Sequence, residues 1–252
     1  MASTPSVALV TGASRGIGRA VVEQLAAQGT RVWAVARDAA ALHAAFQGRF
    51  EGRVTPVVAD VNDTQRLVET LRGLDQQQPI EVVVANAGVG AASGHPSFSW
   101  ETMAAALHTN FCGAAATLTA LLPAMVQRQR GHVVFVSSLS SISALPQAEA
   151  YCVPKAGINM LMDCLRLDLE GTGVHATTVR LGFVRTAMLN EAAHALPGLV
   201  EPEAAARVIV DALGHPSRVI DFPTSISVAA HLGVLAPPTL KRWLTRPKGP
   251  SK

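Results

Sequence analysis

The sequence predicts an α/β fold: one domain built on a doubly wound parallel sheet of about seven strands, with helices on both faces. Short valine-rich runs alternate with helical stretches along the chain, an order typical of parallel strands joined by helical crossovers. Several of these runs are apolar at every position, as strands covered on both faces are. Hydrophobic residues make up 49% of the 252 positions and charged residues only 15%, so the chain can bury a full core.

The predicted elements follow one another in a regular order. Strands are expected at residues 7–10, 31–36, 54–59, 81–85, 132–136 and 175–181, with a seventh at 219–221. Helices are expected at residues 15–28, 39–46, 62–76, 99–128, 150–170 and 201–213. Within the single domain of residues 1–252, residues 187–200 are the candidate substrate loop and residues 222–252 form a divergent C-terminal segment. We interpret the apolar part of that segment as a helical cap on the core or a dimer surface, and a lid or a membrane-surface contact is the alternative.

Charge and cysteine content argue against several classes of protein. The formal net charge is only +3 and there is no dense basic block, so the sequence does not predict binding to nucleic acid. The cysteines Cys112, Cys152 and Cys164 lack the spacing of metal ligands, and we expect no metal site and a reducing compartment. Strand-like sequence begins by residue 7, which leaves no room for a signal peptide, and no apolar run approaches about 18 residues. We therefore expect a cytoplasmic protein without membrane contact.

A glycine-rich loop, TGASRGIG, follows the first predicted strand and precedes a helix. Its glycines allow the backbone to turn tightly and let a pyrophosphate approach the N-terminus of the helix, where free N–H groups favour anions. Such a loop can be purely structural, but its position between a strand and a helix favours dinucleotide binding. The loop residues expected at the cofactor are Gly12, Ser14, Arg15, Gly16, Ile17 and Gly18.

The end of the second predicted strand indicates which dinucleotide binds. An acidic side chain there would accept from the ribose of NAD, whereas arginine would bind the 2′-phosphate of NADP. Ala36 stands at the expected acidic position, Arg37 follows it, and Arg15 can approach the same phosphate. Two guanidinium groups suit a phosphate dianion, so we predict NADP(H) rather than NAD(H). Solvated surface arginines are the alternative, and Asp38, which could favour NAD, is better interpreted as the cap of the next helix.

A third pattern joins the only tyrosine of the chain to a lysine and a serine. Tyr151 and Lys155 are four positions apart, so they share a face if a helix runs here, and Ser138 lies thirteen positions before the tyrosine. Pro154 is compatible with that helix only near its start. An unperturbed phenol has a pKa of about 10. An ammonium group one turn away would stabilise the phenolate and lower that pKa, so the spacing places a cation beside a phenol.

Together these motifs resemble the short-chain dehydrogenase/reductase family over about residues 7–213. The matching features are the loop TGASRGIG, Asp60-Val61 after the third strand, Asn86-Ala87-Gly88 after the fourth, Asn110 in the long helix, Ser138 after the fifth strand, and Tyr151 with Lys155. The resemblance implies a Rossmann-like fold and an oxidoreductase that moves hydride between a nicotinamide cofactor and a carbonyl or alcohol carbon.

The resemblance also assigns catalytic roles. Tyr151 would be the general acid in carbonyl reduction or the base in alcohol oxidation, where the positive charge of an oxidised nicotinamide would also lower its pKa. Ser138 would donate a hydrogen bond to the substrate oxygen. Lys155 would also hold the nicotinamide ribose, and Asn110 would hold a water molecule that relays protons from Lys155 to solvent.

Two further segments are assigned to the cofactor by the same resemblance. Asp60 would bind the adenine amine and Val61 its edge, although Asp60 could equally be the N-cap of the helix that starts near residue 62. Asn86, Ala87 and Gly88 would line the ribose side.

The sequence departs from the family pattern after the sixth strand. Leu181 stands where the family usually has a proline, whereas Gly182 and Thr186 match. The loop would then be less rigid without losing its hydrogen bonds. We still expect Gly182, Val184 and Thr186 to contribute to the nicotinamide end of the cofactor site.

The expected substrate pocket is mostly apolar. Its candidate lining comprises Leu139, Leu145, Gln147, Phe183, Met188 and Leu189. A small ketone, aldehyde or alcohol with a hydrophobic body fits such walls better than a charged sugar does. The protein is expected to form a homodimer through its two long helices, or a homotetramer.

Two other functions remain open on the sequence alone. A 3-oxoacyl-[acyl-carrier-protein] reductase shares all of these motifs, but Gln129 and Thr172 stand where such enzymes generally present basic side chains, although Arg128 and Arg130 are close. The other alternative is a non-catalytic, dinucleotide-sensing binding protein. The intact catalytic set argues against it, because a sensor needs no phenol with a lowered pKa.

Overall fold

Seven parallel strands form one sheet in the structure, a computed structural model that describes residues 4–50, 52–90, 99–145, 147–189, 198–235 and 237. The strands are β1 Val7–Thr11, β2 Arg31–Ala36, β3 Val54–Val58, β4 Val82–Ala85, β5 Gly131–Ser138, β6 Val174–Leu181 and β7 Val219–Phe222. Their order in the sheet is β3-β2-β1-β4-β5-β6-β7, and each neighbouring pair is parallel. The predicted fold class is confirmed.

Helices cover both faces of this sheet. They are α1 Gly16–Ala27, α2 Ala39–Phe46, α3 Thr64–Gln77, α4 Trp100–Leu107, α5 Ala114–Gln127, α6 Glu149–Asp168, α7 Pro202–Gly214 and α8 Thr224–Leu235. The helical stretch predicted over residues 99–128 is found as the run Trp100–Gln127, in which a π-helical turn, His108–Gly113, separates α4 from α5. A short 3₁₀ turn, Leu139–Ser141, follows β5.

Aspartates cap two of these helices. Asp38 accepts from a backbone N–H in the first turn of α2 at 2.9 Å, which confirms that it is a cap. Asp63 Oδ1 accepts from the backbone N–H of Arg66, in the first turn of α3, at 3.2 Å. The alternative role of Asp60 as the cap of this helix is therefore wrong. Its carboxylate lies one turn too early and accepts instead from the N–H of Asn62 at 2.9 Å.

The sheet separates two apolar layers. On one face α1, α2 and α7 pack against the strands, and on the other face α3, α5 and α6 do so. Alternate residues of β1 show the division: Ala8 and Val10 belong to the first layer, Val7 and Leu9 to the second. Because both faces are covered, the central strands are apolar at nearly every position.

The helical run Trp100–Gln127 is long and apolar. By length and composition it could cross a membrane, with 28 residues and a mean hydropathy of 1.3, which corrects the expectation that no apolar run reaches that length. However, 56% of its apolar window is buried inside the molecule, where α5 packs on β4 and β5. The run therefore has the burial of a core helix.

Helix α8 lies in the divergent C-terminal segment and packs beside the carboxyl ends of β5 and β6. A methyl group placed on Gly182 would lie 3.5 Å from Ile226, and one placed on Gly233 would lie 3.1 Å from Ser143. The helix has no acidic residue, lysine or arginine, and several of its apolar side chains are exposed. Its role as a cap stays a prediction, and residues 236 and 238–252 lie outside the described residues.

His132 is a buried histidine at the amino end of β5. Thr177 Oγ1 donates to the carbonyl oxygen of Ser217 at 2.6 Å, so it accepts from His132 Nε2 at 2.8 Å. This arrangement requires a hydrogen on Nε2. Burial, and then the charge of neighbouring His175, lower the pKa of His132 from 6.5 to about 4.

We predict that His132 makes the fold sensitive to acid. Its pKa is about 4 in the folded protein and about 6.5 in an unfolded chain. Between these pH values the unfolded chain binds a proton that the folded protein does not, so stability falls as the pH drops through this window. This group should remove about 2 kcal/mol of the free energy of unfolding between pH 7 and pH 5.

Urea unfolding of wild type and His132→Gln at both pH values measures this effect. Glutamine retains an N–H donor for Thr177 but does not titrate, so the variant should lose most of that pH dependence. Equal pH dependence in the two proteins would contradict the assignment.

Candidate active site

The predicted site residues meet at the carboxyl edge of the sheet, around the ends of the neighbouring strands β1 and β4. The chain leaves β1 towards β2 on one side, and β4 lies on the other side, so the crossover connections diverge here. The glycine loop follows β1, the Asn86 turn follows β4, and Ser138 is the last residue of β5. A surface cavity of about 620 Å³ lies at the opposite edge, between the ends of α1 and α7, and no predicted site residue lines it.

The glycine loop between β1 and α1 has a conformation that requires its glycines. Gly12 and Gly16 have φ values of 68° and 56°, in the left-handed region. A methyl group placed on Gly18 would lie 2.3 Å from the carbonyl oxygen of Gly12. Within the described residues, α1 begins without a side-chain cap and without an acidic residue in its first turn. Its first N–H groups can therefore bind an anion.

A threonine to which the sequence analysis assigned no role ties this loop to the end of β4. Thr11 Oγ1 accepts from the backbone N–H groups of Asn86 and Ala87, each at 3.2 Å. Asn86 Nδ2 donates back to the carbonyl oxygen of Thr11 at 3.0 Å. The signal for this role is a hydroxyl residue at the end of an otherwise apolar strand.

Arg15 and Arg37 lie near the same end of the sheet and are exposed. The N–H of Ala13 donates to the carbonyl oxygen of Val35 at 3.1 Å, which holds the glycine loop beside the end of β2. In the part of the chain that the structure describes, neither arginine forms an ion pair. An uncapped helix N-terminus and two unpaired guanidinium groups fit the phosphates of a dinucleotide.

Asp60 and Val61 follow β3 and lie beside the π-helical turn. Val61 is buried, and a methyl group placed on Gly113 would lie 2.7 Å from its carbonyl oxygen. The next residue, Asn62, accepts from Thr109 Oγ1 at 2.8 Å. These contacts fix the predicted adenine-binding segment, and the adenine contact itself stays a prediction.

Asn110 joins the π-helical turn to the segment after β4. Its side chain is fully buried; Oδ1 accepts from the N–H of Val89 at 2.8 Å, and Nδ2 donates to the carbonyl oxygen of Val89 at 2.9 Å. A methyl group placed on Gly88 would lie 3.0 Å from Asn110 Oδ1 and 3.7 Å from Lys155 Nζ. The amide therefore binds backbone close to the lysine, and the predicted water relay is not tested by this contact.

Ser138 ends β5, and its hydroxyl group accepts two hydrogen bonds from the turn that follows. Ser138 Oγ accepts from Ser140 N at 3.2 Å and from Ser140 Oγ at 2.8 Å. A hydroxyl group has two acceptor positions and one donor hydrogen. Both acceptor positions are used within the 3₁₀ turn, so Ser138 can act towards other groups only as a donor.

Lys155 is buried on α6, with 4% of its surface exposed. Nζ donates to the carbonyl oxygen of Val136 at 2.9 Å and lies 4.8 Å from the centre of the Phe135 ring. The centre of the Tyr151 ring is 6.0 Å away. Burial lowers the pKa of Lys155 from 10.5 to about 8.

The structure corrects the expected electrostatics of Tyr151. The sequence analysis expects Lys155 to lower the pKa of this phenol, but the protein's own groups raise it above 10.0. Burial is the largest cause, because it disfavours the charged phenolate; a hydrogen bond with Ser138 lowers the pKa, and neighbouring Cys152 raises it. Tyr151 is therefore a neutral proton donor at neutral pH.

The segment after β6 closes one side of the site. The N–H of Gly182 donates to the carbonyl oxygen of Phe222 at 2.7 Å. Val184 is buried in a short parallel bridge to the segment before α7. A methyl group placed on Gly16 would lie 3.1 Å from Thr186 Cγ2, so this segment packs on the glycine loop, and its contact with the nicotinamide stays a prediction.

The predicted substrate residues differ in exposure. Leu139 is 4% exposed and packs inside the protein. Those that are partly or fully exposed are Leu145, Gln147, Phe183, Met188 and Leu189. Met188 crosses towards the segment after β4, since a methyl group placed on Gly90 would lie 2.9 Å from its Cγ. Residues 190–197 of the predicted loop 187–200 lie outside the described residues.

Known proteins match both the sequence and the fold. The family described as short chain dehydrogenase matches residues 6–197. An uncharacterized oxidoreductase from Myxococcus xanthus is 37% identical over 233 residues, covering 91% of this chain and 92% of that protein. A protein named ketoacyl reductase HetN from Nostoc is 30% identical over 224 residues, covering 86% of this chain and 78% of its own.

Solved structures agree with these matches. A crystal structure of a short-chain dehydrogenase from Streptomyces avermitilis is similar to this chain with a TM-score of 0.80, 26% identity and 95% coverage of each chain.

Proposed function

The chain belongs to the short-chain dehydrogenase family and is an oxidoreductase of that family, and we propose that it interconverts a ketone or aldehyde and an alcohol by hydride transfer, with NADP(H) and a mostly apolar substrate. The observation that carries the proposal is the convergence of Tyr151, Ser138 and Lys155 at the sheet edge that also bears the glycine loop. Family membership implies a nicotinamide dinucleotide, and the fit of the residues to its phosphates supports it.

Several groups of this chain would hold such a cofactor. The N–H groups of the first turn of α1 would bind the pyrophosphate, and Lys155 would bind the nicotinamide ribose with a hydrogen that Val136 does not use. When bound, the nicotinamide supplies or accepts the hydride. Gly182, Val184 and Thr186 would lie at its carboxamide end.

The protein's own groups perform the proton transfer. Burial keeps Tyr151 protonated at neutral pH, so its hydroxyl can give a proton to a carbonyl oxygen. Ser138, whose hydrogen is not used in the hydrogen bonds of the 3₁₀ turn, would donate to the same oxygen as negative charge develops on it. Lys155 is mostly charged at pH 7 and would stabilise the phenolate that remains.

NADP(H) is favoured over NAD(H) by the charges near the end of β2. Ala36 cannot accept from a ribose hydroxyl, Asp38 already caps α2, and Arg15 and Arg37 are exposed. Arginine without a carboxylate partner is suited to a phosphate dianion.

A mostly apolar substrate is favoured by the side chains around the site. The described parts of the segments after β5 and β6 present leucine, methionine and phenylalanine, and α8 beside them has no acidic residue, lysine or arginine. A charged substrate would find few partners in such walls.

A ketoacyl reductase is the second candidate, because a 30% identical relative bears that name. In the carrier-protein type of that enzyme, free basic side chains are expected to receive the acidic carrier. Arg128 instead pairs with buried Asp75 at 2.7 Å, and Arg130 pairs with Glu81 at 3.2 Å. These ion pairs favour a free small molecule over a carrier-bound substrate.

A homodimer through the long helices is our proposed assembly. Val153, Met160 and Leu167 recur every seven residues on α6 and are 51%, 64% and 69% exposed. Such a stripe on a long helix suits helix packing against a second copy. Members of this family are commonly oligomeric, which agrees with the proposal.

We predict that Tyr151→Phe keeps the affinity for NADPH and loses turnover by about 10²–10⁴-fold, because the proton donor is removed while the ring remains. The absorbance of the reduced nicotinamide, followed with a panel of ketones and aldehydes, measures turnover, and NADPH fluorescence titration measures binding. Retained turnover would remove Tyr151 from its role. If wild-type protein binds NADPH but oxidises it with no member of the panel, the sensor alternative is favoured.

We predict that Arg37→Ala weakens NADPH binding about 10- to 100-fold, because a charge-assisted hydrogen bond is lost, and changes NADH binding little. Titration calorimetry with each cofactor gives both affinities. Arg207→Ala is the matched control, since this arginine is also exposed but lies on α7. Equal losses for the two cofactors in Arg37→Ala would count against the 2′-phosphate assignment.

We predict that Met160→Glu with Leu167→Glu converts the dimer into a monomer, because charges would be buried at the α6 stripe. Light scattering after size exclusion gives the mass directly. Leu232→Glu tests the exposed side of α8 instead. A monomer produced by the α8 variant but not by the α6 variant would place the interface at the C-terminal segment.

A further inference from the structure

Asn159 is a partly buried residue of α6 to which the sequence analysis assigned no role. It lies four positions after Lys155 and eight after Tyr151 on the same helix. Residues spaced by four lie along one face of an α-helix, so all three side chains are directed towards the end of β5.

The amide of Asn159 joins Ser137, the residue before Ser138, to Ser141, which lies three positions after it. Ser137 Oγ donates to Asn159 Oδ1 at 2.7 Å, and Asn159 Nδ2 donates to Ser141 Oγ at 2.7 Å. Ser141 Oγ in turn donates to the carbonyl oxygen of Ser138. The residue before Ser138 and the carbonyl group of Ser138 itself are therefore both linked to one side chain.

The hydroxyl hydrogens of Ser137 and Ser141 determine how the amide of Asn159 is oriented, with Oδ1 towards Ser137 and Nδ2 towards Ser141. Ser141 has one hydroxyl hydrogen, which it uses at the carbonyl oxygen of Ser138, so towards Asn159 it can only accept. Ser137 uses its hydrogen at Oδ1. A side chain that accepts on one side and donates on the other meets both needs, whereas a carboxylate could only accept.

The same turn directs the hydroxyl group of Ser138. The 3₁₀ turn brings Ser140 back to fill both acceptor positions of Ser138 Oγ, which leaves one hydrogen for the phenol of Tyr151 or a substrate oxygen. If the turn moves, that hydrogen moves with it. The direction of the donor thus depends on how firmly the turn is held against α6.

We propose that Asn159 is a positioning residue that fixes Ser138 relative to Tyr151, acting through Ser137 and Ser141. It contacts neither substrate nor cofactor in this role. Its effect on turnover rests on the proposed function, but its effect on the Ser138–Tyr151 pair does not. Helix α6 thereby provides the phenol of Tyr151 and also fixes the position of Ser138.

Kinetic coupling tests this role. Asn159→Leu removes both hydrogen bonds of the amide at similar volume. Ser141→Ala removes the bond from Asn159 Nδ2 and the bond to the carbonyl oxygen of Ser138, but keeps the bond between Ser137 and Asn159. We expect Asn159→Leu to lower kcat about 10- to 100-fold, because the hydroxyl donor of Ser138 is misplaced. The KM for NADPH should stay unchanged. In a Ser138→Ala background the same substitution should cost no more than about twofold, since its target is gone. An equal loss in both backgrounds would overturn the proposal.

A second readout needs neither substrate nor cofactor. Tyr151 is the only tyrosine of the chain, so 3-fluorotyrosine places one fluorine in the protein, and its ¹⁹F resonance follows the ionisation of that phenol. Hydrogen bonding with Ser138 lowers the pKa of Tyr151. We therefore expect Ser138→Ala, Asn159→Leu and the double variant to raise that pKa by the same amount, and Ser141→Ala to raise it less.

The controls separate positioning from general damage. Thr177→Ala removes a buried hydroxyl group of β6 that contacts His132 and Ser217 and not the serines around Ser138, so it should lower stability without changing kcat or the ¹⁹F titration. An unchanged pKa in Asn159→Leu, or in Ser138→Ala, would overturn the proposal. If wild-type protein reduces no carbonyl compound, the proposed function fails, and the ¹⁹F titration alone decides whether Asn159 positions Ser138.

Discussion

The packing of α6 on the carboxyl end of β5 is the contact on which the whole site depends. Lys155 donates to the carbonyl oxygen of Val136 at 2.9 Å, and the amide of Asn159 holds the serines around Ser138. Tyr151 stands one turn before the lysine on the same helix. A sliding movement of α6 would therefore displace the phenol, the ammonium group and the donor hydroxyl together. A buried strand and a long helix hold reacting groups more firmly than loops do.

Burial acts in opposite directions on the two titratable groups of the site. It raises the pKa of Tyr151 and lowers the pKa of Lys155 to about 8, since a low-dielectric environment disfavours both phenolate and ammonium. The sequence pattern suggested that the lysine makes the phenol acidic. In the folded protein desolvation is the largest influence on the phenol, and the group that lowers its pKa is Ser138, through a hydrogen bond.

The other end of the site is built from backbone rather than from side chains. Hydrogen bonds between Thr11 and the Asn86 turn close the sheet edge beneath the glycine loop, and α1 offers its first N–H groups uncapped. Arg15 and Arg37, which form no ion pair with the described residues, add positive charge near the same edge. The residues that we assign to anion binding and to proton transfer thus lie at one edge of the sheet, where the crossover connections diverge between β1 and β4.

The sequence by itself determined the fold class, the seven strands to within two residues, the glycine loop, and the shared helical face of Tyr151 and Lys155. Each of these follows from local patterns, namely apolar runs, glycine positions and a spacing of four. Only the tertiary structure decided that a π-helical turn interrupts residues 99–128, that Asp63 and not Asp60 caps α3, that the pKa of Tyr151 rises, and that Asn159 binds the serines beside Ser138. These properties arise from burial and from hydrogen bonds that are mostly between segments distant in the chain, and local sequence patterns do not encode either.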